Sequence, residues 1–149
     1  MAEATPVGVV VVTHGQLASE LLNAAEMIVG DLPRFVAVSI GWHDDVDVAR
    51  ELIEQAIRKV DTGQGVLLLT DMFGGTPANL GLTFLEAGRL EVLTGVNLPM
   101  LINLAKASNG HDVLALARAM ADHGRTAIRV ASDLLRADRE PPGKESASS

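Results

Sequence analysis

Val7-Gly8-Val9-Val10-Val11-Val12, followed at once by Thr13-His14-Gly15, is the stretch that decides the architecture. The run is continuously apolar and β-branched instead of alternating, the pattern of a strand covered on both faces. Such a strand lies inside its sheet. Outward from it, Leu17, Leu21, Ala24, Ala25 and Ile28 recur at helical spacing and Gly30 supplies a stop, so a first helix is expected from Leu17 to Val29. Phe35 to Ile40 reads as a second strand. Val46, Ala49, Leu52, Ile53, Ala56 and Val60 then form the apolar stripe of a second helix, opened by Asp44 and Asp45.

The alternation continues. Val66-Leu67-Leu68-Leu69-Thr70 is a third buried strand, and Thr76-Pro77 sets a helix N-cap beside a proline suited to the first helical position. That helix is expected to end near Gly88. Glu91 to Thr94 reads as a short fourth strand, Pro99 starts another helix, and Asp112 to His123 forms a further one closed by Gly124. Thr126 to Val130 reads as a final strand, and residues 137–149 read as a disordered tail after a single domain spanning 1–136. Strands alternating with helices predict an α/β fold, a mostly parallel four-stranded sheet flanked by helices, with the C-terminal strand added. No internal repeat is visible.

Composition narrows the function. The chain has 149 residues, 48% of them hydrophobic, enough to bury a core without disulfide or metal support. It has no cysteine, which removes thiol chemistry and iron–sulfur clusters. A net charge of −7 and only 3% aromatic residues speak against nucleic-acid binding. The N-terminus lacks a basic region ahead of a long apolar stretch, and the apolar runs fall short of a membrane span, so a cytoplasmic protein is expected.

In a parallel α/β sheet the ligand site lies beyond the carboxyl ends of the strands. The segments expected there are Thr13-His14-Gly15, Gly41-Trp42-His43, Asp71-Met72-Phe73-Gly74-Gly75-Thr76-Pro77 and Gly95-Val96-Asn97-Leu98-Pro99. His14 leaves a buried strand into a glycine, which holds an imidazole in place and leaves room beside it. Position alone also suits a histidine that caps the first helix or is bonded in the core. Asp71 ends another central strand, where a carboxylate can accept the Nδ1 proton of a neighbouring imidazole and leave Nε2 as the nucleophile. A turn or helix cap is its alternative role.

Gly74-Gly75-Thr76-Pro77 can offer consecutive backbone N–H groups and a helix N-terminus to a phosphoryl group, although the same run serves as an ordinary helix entry. Neither a Walker-type nor a dinucleotide-binding glycine motif is present. His43 competes with His14 but has no anion cradle of its own. His111 and His123 read as surface residues away from this edge. No histidine spacing supports a metal site. Trp42, Met72 and Phe73 are apolar residues in otherwise polar or glycine-rich loops and are candidate docking residues; inward packing is their alternative, more so for Phe73 than for Met72.

Thr13-His14-Gly15, Asp71-Met72-Phe73-Gly74-Gly75-Thr76-Pro77-Ala78-Asn79 and Gly95-Val96-Asn97-Leu98-Pro99-Met100-Leu101 together resemble the IIA component of the mannose family of the bacterial sugar phosphotransferase system. The motifs stand in the family's order and span Val7 to about Leu135. The resemblance implies a homodimer whose active-site histidine, matched by His14, accepts a phosphoryl group from the phosphocarrier protein HPr and passes it to a IIB domain. It implies Asp71 as the partner of that histidine and Gly74, Gly75 and Thr76 as the phosphoryl-binding loop. It further implies a C-terminal strand, Thr126 to Val130, exchanged between subunits, and no cofactor. A related phosphotransfer subunit of dihydroxyacetone kinases shares the fold.

Some family members continue through an Ala/Pro-rich linker into IIB, whereas this sequence ends in Pro141-Pro142-Gly143 and a Ser-rich stretch. A separate IIB protein is therefore expected, through which the chain would associate with a membrane sugar permease complex. The alternative function is a regulatory module whose phosphorylation state signals to partners without sugar transport. A small hydrolase built on His14 and Asp71 is a third reading, without a hydroxyl nucleophile at a sharp turn to support it.

Overall fold

The computed structural model describes residues 7–41, 44–107 and 112–139. In chain order the elements are β1 (Gly8–His14), α1 (Leu17–Val29), β2 (Phe35–Ile40), α2 (Val46–Val60), β3 (Val66–Thr70), α3 (Gly75–Leu82), β4 (Leu90–Thr94), α4 (Leu98–Lys106), α5 (Val113–Thr126) and α6 (Ala131–Arg139). The four strands form one sheet in the order β2-β1-β3-β4, and every pairing is parallel. Val9 to Val12 are fully buried, as expected of a central strand.

Side chains of successive strand residues point to opposite faces, and this alternation sorts the apolar residues into two layers. Val9, Val11, Leu67 and Leu69 pack with Ala18, Leu22 and Ala25 of α1 and with α4 and α5. Val10, Val12, Val66 and Leu68 pack on the other face with Ala49, Ile53, Ala56 and Val60 of α2 and Leu80 of α3. Each fully buried valine or leucine contributes about 1.5–3 kcal/mol relative to exposure, so both layers are needed to hold β1 and β3. A valine run that is apolar on both faces does not fix its own register. Gly8 does: a Cβ there would stand 2.3 Å from the carbonyl oxygen of Val60, so only glycine fits where α2 ends over β1.

Several boundaries differ from the sequence reading. α3 ends at Leu82, well before Gly88, because the Thr83 hydroxyl donates to the carbonyl of Leu80 at 2.6 Å and takes the acceptor the next helical turn would use. The N–H of Phe84 bonds Gly81 O instead, which tightens and closes the helix. Thr76 is not the N-cap; that place belongs to Gly74, and Thr76 lies in the first turn.

At the C-terminal end, Gly124 does not stop α5. It lies buried inside the helix against α4, where a Cβ would meet Met100 Cε at 2.8 Å. The expected strand Thr126 to Val130 is not formed within the chain. Thr126 completes α5, its hydroxyl donating to Asp122 O at 2.6 Å, and Ala127 to Val130 have no strand partner among the described residues. α6 then runs to Arg139, past the expected start of the tail; residues 140–149 lie outside the described residues.

Candidate functional site

Chain order across the sheet reverses between β1 and β3. The connection out of β1 runs through α1 on one face, and the connection out of β3 runs through α3 on the other. Helices that leave on opposite faces open a crevice at the carboxyl ends of the two strands. His14 is the last residue of β1 and Asp71 the first after β3, so the fold brings them to the two sides of that crevice.

One oxygen of Asp71 takes two bonds from His14. Oδ2 lies 2.8 Å from Nδ1 of the ring and 3.0 Å from the backbone N of the same residue. A carboxylate only accepts, so Nδ1 carries a proton, and in the neutral ring Nε2 is the nitrogen with the lone pair. The histidine side chain is 52% exposed and the aspartate 13%. The other oxygen, Oδ1, is buried with no hydrogen-bond partner among the described residues. Burial pushes the Asp71 carboxyl up, but the side-chain bond from His14, its backbone N–H, the electrostatic pull of its ring and Asp71's own backbone N–H outweigh this. The carboxyl is held below its ordinary value of 3.8 and is ionised at neutral pH.

The glycine pair stands against the free nitrogen. Gly74 and Gly75 both have positive φ, 91° and 84°, and a Cβ on Gly75 would lie 3.2 Å from both Nε2 and Cε1 of His14. This backbone opens α3, whose first turn carries no acidic side chain and no side-chain cap, leaving its N–H groups and positive dipole end uncompensated. His14, Gly15, Ile40, Gly41 and Thr76 line an open cleft of about 420 Å³. Among the described residues, no three His, Cys, Asp or Glu side chains are grouped so as to hold a metal ion.

Met72 and Phe73 form the rim of the loop. Both are exposed, Phe73 at 78% more than Met72 at 53%, so the inward packing considered for Phe73 does not occur. Trp42, His43 and His111 lie outside the described residues. His123 is exposed in the last turns of α5, and because Asn97 Nδ2 donates to Gly124 O, this end of α5 sits by the carboxyl end of β4 rather than away from it. Asp44, read as a helix cap, instead accepts from the N–H of Gly41, while Asp45 caps α2 through Asp47 N.

Sequence reasoning passed over Thr13. A helix cap is sought immediately before the first helical residue, where Gln16 makes no side-chain cap bond; Thr13 reaches past Gly15 to accept the N–H of Ala18 at 2.7 Å. The signal was a hydroxyl residue placed at the end of an otherwise all-valine strand.

The sequence profile of the EIIA-man family, described as PTS system fructose IIA component, matches residues 8–121. The chain belongs to this family. It is 37% identical over 107 residues to the PTS system mannose-specific EIIAB component of Escherichia coli (strain K12), an alignment covering 68% of this chain and 32% of that protein. The chain thus spans about a third of that relative's length. It is 31% identical over 99 residues to the PTS system fructose-specific EIIA component of Bacillus subtilis (strain 168), covering 66% of this chain and 68% of the relative. The fold is similar to that of the mannose/sorbose specific IIA subunit of the phosphotransferase system from Enterococcus faecalis, with a TM-score of 0.75, 28% identity, and coverage of 85% and 95% of the two chains. Among the described residues, no helix is long and apolar enough to cross a membrane.

Proposed function

We propose that this EIIA-man protein is a phosphoryl carrier in which His14 Nε2 accepts a phosphoryl group from HPr and passes it to a IIB partner. The observation that carries this reading is the division of labour on one ring: Nδ1 is committed to Asp71, and Nε2 faces the uncapped N-terminus of α3 at Gly75. In the transfer, the Nε2 lone pair forms the new N–P bond while the N–P bond of the donor phosphohistidine breaks and its electron pair returns to the donor ring. His14 becomes a substituted imidazolium whose remaining N–H stays on the Asp71 carboxylate. Phosphoryl transfer needs alignment and charge stabilisation more than proton transfer. The strand end supplies alignment. The backbone N–H groups of Gly74, Gly75 and Thr76 and the α3 dipole supply the stabilisation, the dipole giving about 0.3–1 kcal/mol when exposed and up to ~2 kcal/mol when partly buried. The return step to IIB is the same displacement with donor and acceptor exchanged.

Met72 and Phe73, exposed beside this site, serve as apolar anchors for HPr and IIB. The protein acts as a homodimer, and the segment of the exposed Ile128 and Val130, which have no partner strand among the described residues, is the one exchanged between subunits. Incubation with phosphoenolpyruvate, enzyme I and HPr, followed by mapping of the label, tests the reading. Acid-labile, base-stable phosphate is expected on His14, with none on His14→Gln and normal labelling of His43→Gln. Label on another residue, or none at all, would overturn it.

A further inference from the structure

Two polar side chains are fully buried among the described residues, Thr13 and Thr70, and each directly precedes one of the paired residues, His14 and Asp71. The preceding positions of β1 are valines, which fill nearly the same volume with no hydrogen bond to satisfy. A buried hydroxyl is unfavourable unless bonded, so its presence at these two places needs a reason. Thr70 bonds within its own loop, its hydroxyl donating to Met72 O at 3.2 Å. Thr13 does more. Its hydroxyl accepts the N–H of Ala18 in α1 at 2.7 Å and donates to the carbonyl of His14 at 3.2 Å.

We propose that Thr13 is a positioning residue for His14, locking the histidine's backbone to the first turn of α1 so that both of its donors reach Asp71. Both polar groups of the His14 backbone and the N–H that follows are engaged. Its N–H goes to Asp71 Oδ2, its carbonyl to Thr13, and the next N–H, that of Gly15, to Ile40 O at 2.8 Å. Three elements thus hold a residue whose own side chain is half exposed. The hold matters because the backbone N–H and Nδ1 converge on one oxygen, and few orientations of the His14 peptide allow both bonds at once. Without the hydroxyl, the buried N–H of Ala18 loses its acceptor and the His14 carbonyl loses its donor, so that peptide is held only through the Gly15 N–H and its tie to α1 is gone. Nδ1 then competes with water for Asp71, and the proton redistributes between the two ring nitrogens.

Only the rate arm of the test rests on the phosphocarrier reading. Thr13→Val keeps the shape and removes the hydroxyl; Thr13→Ser keeps the hydroxyl. Val113→Ala, a buried change beside Gly65 at the amino end of β3, serves as a destabilised control remote from the site. Nitrogen-15 NMR of the neutral His14 ring in the unphosphorylated protein is expected to show the Nδ1–H tautomer in the wild type and in Thr13→Ser, and a mixture in Thr13→Val. Single-turnover transfer from saturating phospho-HPr is expected to fall roughly ten- to a hundredfold in Thr13→Val, the scale of a small misplacement of reacting atoms. Thr13→Ser should restore it, and Val113→Ala should leave both readings unchanged. If Thr13→Val does not fold, Thr13→Ala takes its place on the same measurements. A wild-type ring and rate in the hydroxyl-less variant, a serine variant as impaired as the valine one, or an equal tautomer change in Val113→Ala would each overturn the proposal. If the wild type takes no phosphate while the tautomer shifts as expected, the phosphocarrier reading falls and the positioning role of Thr13 stands.

Discussion

Nδ1 of His14 and Oδ2 of Asp71 stand 2.8 Å apart although 57 positions separate them in the chain. The pair exists because β1 and β3 are neighbours at the point where strand order reverses, and because Thr70, the last residue of β3, pairs with Val12, so that Asp71 leaves the sheet beside the two final residues of β1, Thr13 and His14. Asp71→Ala removes the acceptor that fixes the ring and stabilises its substituted, cationic form. Phosphoryl transfer is expected to slow by on the order of 10²–10⁴ with the fold intact. Rapid-quench measurement of His14 labelling, beside far-UV circular dichroism, checks this; an unchanged rate would remove Asp71 from the mechanism.

The same bonds make Asp71 a pH-dependent contributor to stability. Its carboxyl is held below 3.8 in the folded protein by His14, so the unfolded chain binds the proton more readily. The contribution is complete above 3.8 and is lost as pH falls through that value towards the lower folded one. Melting temperatures of the wild type and Asp71→Ala should therefore converge on acidification below 3.8. A gap between the two that does not change with pH would show that the bonds to His14 do not stabilise the charged carboxylate.

Gly74 and Gly75 separate backbone strain from crowding of the site. Both have positive φ, so alanine at either is strained by about 1–2 kcal/mol. Only at Gly75 would the new Cβ meet the ring, 3.2 Å from Nε2; at Gly74 it meets nothing within 4 Å. The two variants should lose similar thermal stability, whereas Gly75→Ala should lose at least about tenfold more transfer rate, the equivalent of ~1.4 kcal/mol at the reacting nitrogen. Equal rates in the two variants would mean that Nε2 is not the reacting atom.

The central strands and the first two helices were legible in the residues, because buried valine and leucine runs have few other uses and the helical stripes of α1 and α2 are regular. The convergence of His14 and Asp71 was legible from a general rule, that chemistry collects at the carboxyl ends of parallel strands. What escaped depended on contacts distant in sequence. Gly124 looks like a helix stop until Met100 is placed against it, and Gly88 looks like one until the Thr83 hydroxyl is seen closing α3 earlier. Thr126 to Val130 has the composition of a strand, yet a strand requires a partner, and among the described residues this segment is paired with none. Thr13 was hidden for the same reason: its role lies in reaching two elements at once.

Phe73 and Met72 project from the loop between β3 and α3, and their exposure of 78% and 53% means that neither supports the core. Phe73→Asp and Met72→Asp should each slow transfer from HPr at limiting donor, by roughly tenfold for loss of one apolar anchor. Transfer at saturating donor and the melting temperature should change little, because the loop tip lies outside both apolar layers. A loss that persists at saturating donor would place these side chains in the chemistry instead of in docking.

Assembly is the remaining expectation, and the C-terminal segment carries it. Ile128, Val130 and Leu135 are 77%, 63% and 64% exposed, a concentration of apolar surface unusual for a segment with no role in its own core. Among the described residues β4 is an edge strand, with β3 on one side and no further strand on the other, so beyond Leu90, which bridges to Glu86, it offers an unpaired row of backbone groups. Addition of residues 126–130 from a second copy to that edge would satisfy the row and cover the apolar side chains together. Light scattering at micromolar concentration is expected to give a dimer for the full chain and a monomer for a chain ending at Thr126, which leaves α5 whole. Ile128→Asp with Val130→Asp should act in the same direction without truncation, since a buried carboxylate in the new pair would be strongly unfavourable. A monomeric full-length protein, or a dimer that survives both changes, would exclude this segment as the means of assembly.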